Sequence, residues 1–201
     1  MSSDVLLLFS GGLDSTTLLY EAVAADRLGL AVWFRYPHPA CANEYRAQAA
    51  IRLDLASKGV EIPVMELSPP IFGVESMRTG VGMVGPRVLP GRNQIFLSLA
   101  VNLAAASGFS SVWFGASNGD AADYADCRPA FVEAMSTLAA PWGVTVEAPL
   151  LQCTRADVLR RAGEAGVPLG LVWSCYQPSE GQPCGGCNSC TQGLGLHGGP
   201  A

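Results

Sequence analysis

Lysine is nearly absent from this chain of 201 residues. Lys58 is the only one, and the 12 basic residues are outnumbered by 17 acidic residues, which gives a formal net charge of −5. Proteins that bind nucleic-acid backbones usually display clustered lysine and arginine, because much of their affinity comes from neutralising phosphates. The composition therefore argues against nucleic acid as a partner.

Long hydrophobic runs and a high charge density are missing as well. No stretch reaches 18 consecutive apolar residues, and no basic segment precedes the first apolar run, so we expect neither a membrane span nor a secretory signal and place the protein in the cytoplasm. Charged residues make up 14% of the chain and hydrophobic residues 49%, which excludes disorder and coiled coils. So few charges leave apolar surface that a second copy could bury, which suggests a homodimer.

Short apolar runs alternate along the chain with segments of helical spacing. The first run, residues 5–9, is apolar throughout and ends in Ser-Gly-Gly, which is typical of a fully buried strand. The alternation predicts an α/β fold, a doubly wound and mainly parallel sheet with helices on both faces. The predicted strands are 5–9, 30–34, 62–67, 111–115 and 144–148, and the predicted helices are 15–25, 42–57, 93–107, 129–140 and 154–166, the last capped by Thr154.

The length allows one domain of ordinary size. We expect this α/β domain to span 1–172, a short C-terminal zinc-binding appendage to span 173–192, and 193–201 to be a disordered tail. Residues 68–91 contain five glycines and four prolines, which predicts an irregular loop.

A serine- and glycine-rich loop follows the first strand and precedes the first helix. At such a junction backbone N–H groups and the positive end of the helix converge on an anion, and glycines let the backbone approach it closely. The ligand crevice of an α/β sheet also lies at the carboxyl ends of its strands, which favours phosphate binding over the alternative of a plain Gly-Gly turn. Asp14 can hold the Mg²⁺ that accompanies a nucleotide triphosphate. The residues predicted to bind the nucleotide are Ser10, Gly11, Gly12, Asp14, Ser15 and Thr16.

Four of the seven cysteines cluster near the end of the chain, as Cys175, Cys184, Cys187 and Cys190. In a chain without an export signal, clustered cysteines with two-residue gaps indicate a metal site before disulfides. Four thiolates satisfy tetrahedral Zn²⁺ and leave no position open for water, so we predict a structural zinc. An iron–sulfur cluster and redox-active disulfides are the alternatives.

These motifs resemble known families. The Ser-Gly-Gly-x-Asp-Ser loop is similar to that of the N-type ATP pyrophosphatases, in which it binds the pyrophosphate of ATP. The chain over 6–190 also resembles a narrower family, the 7-cyano-7-deazaguanine synthases. The segments that carry this resemblance are Pro-Gly-Arg-Asn at 90–93, Asp-Tyr-Ala-Asp-Cys-Arg-Pro at 123–129 and Trp-Ser-Cys-Tyr at 173–176. The resemblance implies adenylation of 7-carboxy-7-deazaguanine, displacement of AMP by ammonia, dehydration of the amide to the nitrile with a second ATP, and one structural zinc.

The resemblance also suggests roles for individual residues. The candidate catalytic residues are Asp14, Ser15 and Arg92, and Arg92 is expected to contact a phosphate. In the alternative interpretation, Arg92 lies at the start of a helix and pairs with an exposed carboxylate. In the loop at 123–128 an acid can accept from the guanidine-like edge of the base, an aromatic ring can stack on it and an arginine can bind its carboxylate. The alternative there is an exposed turn in which Asp126 caps the next helix. The candidate substrate-binding residues are Asp123, Tyr124, Asp126 and Arg128.

The chain departs from the family pattern in three places. Residues 35–40 read Arg-Tyr-Pro-His-Pro-Ala, with Glu44 further on, where the family pattern is Asp-Tyr-Gly-Gln followed by a His and a Glu. Thr154-Arg155 replaces a Ser-Lys pair, and the segment after Cys190 lacks charge. His38 in the first of these is expected to be a solvated loop histidine rather than a catalytic base. The departures leave room for a relative that couples the activated carboxylate to another amine, such as a protein N-terminus, and for a nucleotide-binding module without turnover.

Overall fold

The computed structural model describes residues 3–72, 89–121 and 124–191. Its strands are β1 (Val5–Leu8), β2 (Leu28–Phe34), β3 (Val64–Leu67), β4 (Ser111–Trp113) and β5 (Thr145–Glu147). Its helices are α1 (Leu13–Ala24), α2 (Cys41–Ser57), α3 (Arg92–Ser107), α4 (Pro129–Ala139), α5 (Arg155–Glu164) and the short α6 (Asn188–Thr191). Asp123, most of the loop predicted at 68–91 and the tail predicted at 193–201 lie outside the described residues.

The five strands form one parallel sheet in the order β3-β2-β1-β4-β5. β1 lies in the middle, with Leu6 opposite Leu30 of β2 on one side and Val112 of β4 on the other. The chain adds strands outward on one side of β1 and then crosses back to β4, so the connections after β1 and β4 leave the sheet in opposite directions. Such a switch point opens a crevice at the carboxyl ends of the two strands, and the predicted doubly wound fold is confirmed.

The core has two layers because the central strands β1 and β2 are apolar on both faces. Leu6 and Val112 pack against α3 and α4, whereas Val5 and Leu7 pack against α1, α2 and α5. Leu6 and Leu7 are fully buried, and each such leucine contributes about 2 kcal/mol relative to an exposed side chain. These two layers hold the ends of β1 and β4 at fixed positions beside the crevice.

Helix α5 begins at a capping box, as its sequence predicts. The Asp157 N–H donates to Thr154 Oγ1 at 3.2 Å, and the Thr154 N–H donates to Asp157 Oδ2 at 2.9 Å. The reciprocal bonds satisfy two N–H groups that the helix itself leaves free. They also fix Arg155 as the first residue of α5, beside the crevice.

The cysteine-rich segment packs on the rest of the domain through Trp173. Its indole lies in a buried cluster with Ala40, Ala47 and Cys175, and its backbone N–H donates to the Gly11 carbonyl at 3.0 Å. The bond ties this segment directly to the loop after β1. In the part of the chain that the structure describes, no helix has the length and apolar character needed to cross a membrane.

Candidate nucleotide site and metal centre

The loop after β1 is held by hydrogen bonds between its own groups. The Gly12 N–H donates to Ser10 Oγ at 3.3 Å, the Ser15 hydroxyl donates to the Gly12 carbonyl at 3.2 Å, and the two serine oxygens lie 3.2 Å apart. Helix α1 starts at Leu13, two residues earlier than the apolar pattern predicts, so Asp14 and Ser15 lie in its first turn. The loop therefore presents two hydroxyls and a helix N-terminus at one place, as an anion site requires.

Two glycines are needed for this geometry. Gly11 has a φ of +83°, and a Cβ on it would lie 3.1 Å from both the Ala47 Cβ and the Gln48 backbone nitrogen. Gly115, just beyond β4, lies so close to α1 that a Cβ would be 3.0 Å from the Asp14 Cβ. The loop thus packs tightly between α2 and the end of β4, and side chains are excluded at both contacts.

Asp14 forms an ion pair with the first residue of α5. Arg155 Nη1 donates to Asp14 Oδ1 at 3.0 Å, and the two side chains are 23% and 19% exposed. Burial raises the pKa of Asp14 to about 6; Arg155 opposes this shift and the negative charge of Asp120 adds to it. The carboxylate is therefore held in an environment that favours a nearby cation.

These groups line one cleft of about 180 Å³ at the switch point between β1 and β4. Phe34 and Phe96 form part of its wall and stack on each other with their ring centroids 4.3 Å apart. The polar residues on the cleft wall include Ser10, Asp14, Ser15, Arg92, Arg155 and Tyr176. The structure thus brings together Ser10, Gly12, Asp14, Ser15 and Arg92 on this cleft, whereas Gly11 and the fully buried Thr16 lie outside its lining.

Arg92 reaches the cleft from the start of α3. Its Nη1 donates to the Tyr36 hydroxyl at 3.3 Å and its Nε donates to Asn93 Oδ1 at 3.4 Å. Among the described residues no carboxylate lies within ion-pair distance of it. Its charge is therefore available to a ligand in the cleft, and the alternative pairing with an exposed carboxylate is not seen.

The described residues of the predicted substrate loop do not line the cleft. Asp126 Oδ2 accepts from the Asn93 N–H at 3.4 Å, so its carboxylate contacts the start of α3 and does not cap α4, whose first flanking residue is Arg128. Arg128 is exposed and its Nε donates to the Ala121 carbonyl at 3.0 Å. Neither these two residues nor Tyr124 belongs to the cleft lining, so substrate binding by the loop stays a prediction.

Near the cleft, the sequence predicts the environment of one residue wrongly and gives little sign of another. His38 is buried rather than solvated, because its ring stacks on Tyr36 with centroids 4.3 Å apart. The second residue is Asp120, whose Oδ2 accepts from the N–H of Ser117 at 2.9 Å and from the hydroxyl of Ser117 at 2.8 Å. The only sequence signal for Asp120 is a Ser-x-x-Asp turn following β4.

The four clustered cysteines converge on one point. Their Sγ atoms all lie within 4.8 Å of one another, with Cys190 Sγ at 3.9 Å from Cys184 Sγ and 3.5 Å from Cys187 Sγ. Zinc–sulfur bonds of about 2.3 Å in a tetrahedron place sulfurs about 3.8 Å apart, whereas a cluster with each thiolate on its own iron separates them more widely. The arrangement fits a single tetrahedral ion, and none of the seven cysteines forms a disulfide.

Backbone groups support the thiolates. The Cys187 N–H donates to Cys184 Sγ and the Cys184 N–H donates to Cys175 Sγ, both at 3.3 Å. Burial raises the pKa of Cys184, but the N–H groups of Gly186 and Cys187 outweigh it and lower the pKa to about 7. A thiolate is the form that binds metal, so Cys184 is the thiol best prepared for an ion, whereas burial raises the pKa of Cys175 and of Cys190.

Comparison with known proteins identifies relatives over nearly the whole chain. Residues 4–194 match the family model described as queuosine biosynthesis protein QueC. A 7-cyano-7-deazaguanine synthase of Hahella chejuensis is 37% identical and one of Myxococcus xanthus 35% identical; the matches cover 93% and 94% of this chain and 85% and 90% of those proteins. One of Leptospira biflexa is 33% identical over 92% of this chain and 86% of its own length.

Among solved structures, the U34-tRNA thiolase NcsA from Methanococcus maripaludis, which was solved with its [4Fe-4S] cluster, has a similar fold. Its TM-score is 0.53 at 14% sequence identity, and the match covers 95% of this chain and 62% of the thiolase, so the chain spans less than two thirds of that protein. At this identity the likeness shows the α/β fold alone.

Proposed function

We propose that this chain, which belongs to the queuosine biosynthesis protein QueC family, is an ATP-dependent ligase that converts 7-carboxy-7-deazaguanine to 7-cyano-7-deazaguanine. The carboxylate is first adenylated, ammonia then displaces AMP to give the amide, and a second ATP activates the amide oxygen so that elimination yields the nitrile. The family supports the overall conversion, and the steps are part of the proposal.

The observation that carries the proposal is the set of groups on one cleft. Ser10, Ser15 and the N-terminus of α1 face it from one side, and the guanidinium groups of Arg92 and Arg155 face it from others. A carboxylate oxygen that attacks the α-phosphorus of ATP builds negative charge on the phosphate oxygens. Donors and cations that are already in place stabilise this charge without reorganising, which is the largest contribution an enzyme makes to such a reaction.

Two metal ions belong to the proposal. Asp14 is the side chain that would hold Mg²⁺ in the cleft, since its carboxylate lines the wall and already faces a cation, Arg155. The Mg²⁺ would neutralise charge on the ATP phosphates. Zn²⁺ on the four cysteines would be structural: it closes the segment that carries Trp173, whose N–H holds the Gly11 carbonyl.

The cleft wall also suits a flat heterocyclic acid. Phe34, Phe96, Tyr36 and Tyr176 contribute aromatic surface beside the phosphate groups. A planar deazaguanine can stack on such surface while its carboxylate points toward the α-phosphorus. The loop at 123–128 remains the candidate for reading the polar edge of the base.

The test is to incubate the purified chain with MgATP and 7-carboxy-7-deazaguanine, with and without ammonium, and to follow the base by mass spectrometry and AMP by chromatography. We expect nitrile that depends on ammonium and two AMP per nitrile, because each activation releases one. Asp14→Asn serves as the inactive control. Substrate-dependent AMP without nitrile in the presence of ammonium would point instead to a conjugating enzyme that uses another amine, and bound ATP without any AMP would point to a nucleotide-binding module.

A further inference from the structure

A buried histidine and a carboxylate face each other at the end of β2. The side chain of His38 is 4% exposed, and its Nε2 atom is buried without a hydrogen-bond partner among the described residues. Glu44 Oε2 lies 3.4 Å from this nitrogen, in a geometry that makes no hydrogen bond. A buried polar atom without a hydrogen-bond partner destabilises the fold, so the arrangement calls for an explanation.

The Glu44 carboxylate faces the cleft without a permanent cation. It lies in the first turn of α2, where the helix N-terminus favours a negative charge, and it belongs to the cleft lining. The nearby arginines are engaged elsewhere: Arg35 pairs with Glu66 at 3.2 Å and Arg92 donates to the Tyr36 hydroxyl. Within the described residues, His38 is the only ion-pair neighbour of Glu44.

We propose that Glu44 and His38 form the site that binds the ammonium ion and removes its proton before the nitrogen attacks the acyl adenylate. The inference rests on the proposed function and adds to it the residues that handle the amine. Ammonium is the predominant form in neutral water, yet only ammonia has a lone pair with which to attack. A carboxylate attracts the cation, and a paired base is needed to take the proton.

The step balances without a further reactant. One N–H proton of ammonium passes to Glu44 and from there to the lone pair of His38 Nε2, which leaves ammonia at the cleft wall. The nitrogen lone pair then forms the C–N bond at the adenylate carbonyl. The C–O bond to AMP breaks and its electron pair leaves with AMP, while the second proton on nitrogen leaves to water through the open cleft.

The neighbours of the pair do not compete for this proton. Burial raises the pKa of the Tyr36 hydroxyl, and burial together with Glu44 raises the pKa of the Cys41 thiol, so both stay neutral near pH 7. Arg92 and Arg35 remain charged and are bound to Tyr36 and Glu66. Glu44 and His38 are therefore the groups beyond the end of β2 that can exchange a proton with an amine, since Asp14, which lines the same cleft, is paired with Arg155.

The experiment compares two amines in the full chain with zinc, MgATP and 7-carboxy-7-deazaguanine. Hydroxylamine is largely unprotonated near pH 7 and needs no base, whereas ammonium needs one. Glu44→Gln should lower kcat/KM for ammonium about a hundredfold, and lower the reaction with hydroxylamine far less. His38→Phe keeps a ring against Tyr36 but removes Nε2; it should show the same selective loss, and the double variant should be no worse than Glu44→Gln alone.

Glu164→Gln makes the same chemical change at an exposed carboxylate outside the cleft, where the partner is Arg160, and should leave both amine reactions unchanged. Pyrophosphate release without any amine is measured for every variant, so that a defect in adenylation is separated from one in amine use. An equal loss with both amines, or no loss with ammonium, would overturn the inference while the proposed function stands. A wild-type chain that releases no pyrophosphate would refute the proposed function itself.

Discussion

Replacing Asp14 by asparagine should stabilise the protein while it abolishes turnover. The carboxylate is 19% exposed, and burial is the main reason that its pKa is raised from 3.8 to about 6. Because the folded chain then holds a proton that the unfolded chain has lost, stability should fall as pH rises from about 4 to about 6 and stay level above that. Asp14→Asn cannot ionise and should not show this fall.

The expected difference in the free energy of unfolding follows from the shift in the pKa of Asp14. A rise in pKa from 3.8 to about 6 corresponds to about 3 kcal/mol at ~1.4 kcal/mol per unit. The variant and the wild type should therefore unfold alike near pH 4, and the variant should be more stable by up to about 3 kcal/mol at pH 8. In urea this is a difference in midpoint of about 1 M for a slope of about 3 kcal/mol per M.

The assay is urea unfolding of both chains from pH 4 to pH 8 at constant zinc, without nucleotide. Asp54→Asn is a control variant whose stability should change in the opposite direction. Lys58 and Tyr20 lower the pKa of Asp54, so its charge stabilises the fold above pH 4, and loss of this charge should destabilise the protein at neutral pH. If wild type and Asp14→Asn keep a constant difference across the range, the argument that burial raises the pKa of Asp14 is refuted.

Three further predictions concern the loop, the metal and the phosphate contact. Gly11→Ala should destabilise the fold by at least about 1–2 kcal/mol and raise KM for ATP, whereas Gly163→Ala, with open space at its Cβ, should do neither; urea unfolding and kinetics check this. A chelator, or Cys184→Ser, should remove one zinc and lower the unfolding temperature, as metal analysis and calorimetry will show. Arg92→Gln should slow pyrophosphate release about a hundredfold with an unchanged melting temperature.

The fold was predictable because its signals are local. The central strands β1 and β2 are short runs that are apolar on both faces, the longer helices have their own spacing, and α5 also has its own cap in the Thr154 box. The errors are at boundaries: α1 begins at Leu13, because the backbone turns into the helix before the apolar pattern becomes regular. Strand order is not written in any one segment, but right-handed crossovers and the position of the glycine loop restrict it.

The candidate site was predictable only where its residues are close together in the chain. The loop from Ser10 to Ser15 and the cysteines from Cys175 to Cys190 carry their own spacing. Contacts between distant segments had no such signal. Arg155 lies 141 residues from the Asp14 that it pairs with, and in the sequence it stands out only as a departure from a family pattern. A histidine in a loop is predicted to be solvated, whereas the stacking of His38 on Tyr36 buries its ring.

The ion pair between Asp14 and Arg155 has a consequence for the order of events in the cleft. Arg155 neutralises the carboxylate that would hold Mg²⁺ under the proposed function, so the metal alone would have to displace a bound guanidinium and would gain little. The triphosphate of ATP would change this balance, because its oxygens would give Arg155 a second anionic partner and Asp14 would then be available to the metal. A lysine at position 155 would offer only a point charge for the same exchange. Metal and nucleotide should therefore bind together more strongly than either binds alone, with Arg155 as the residue that couples them.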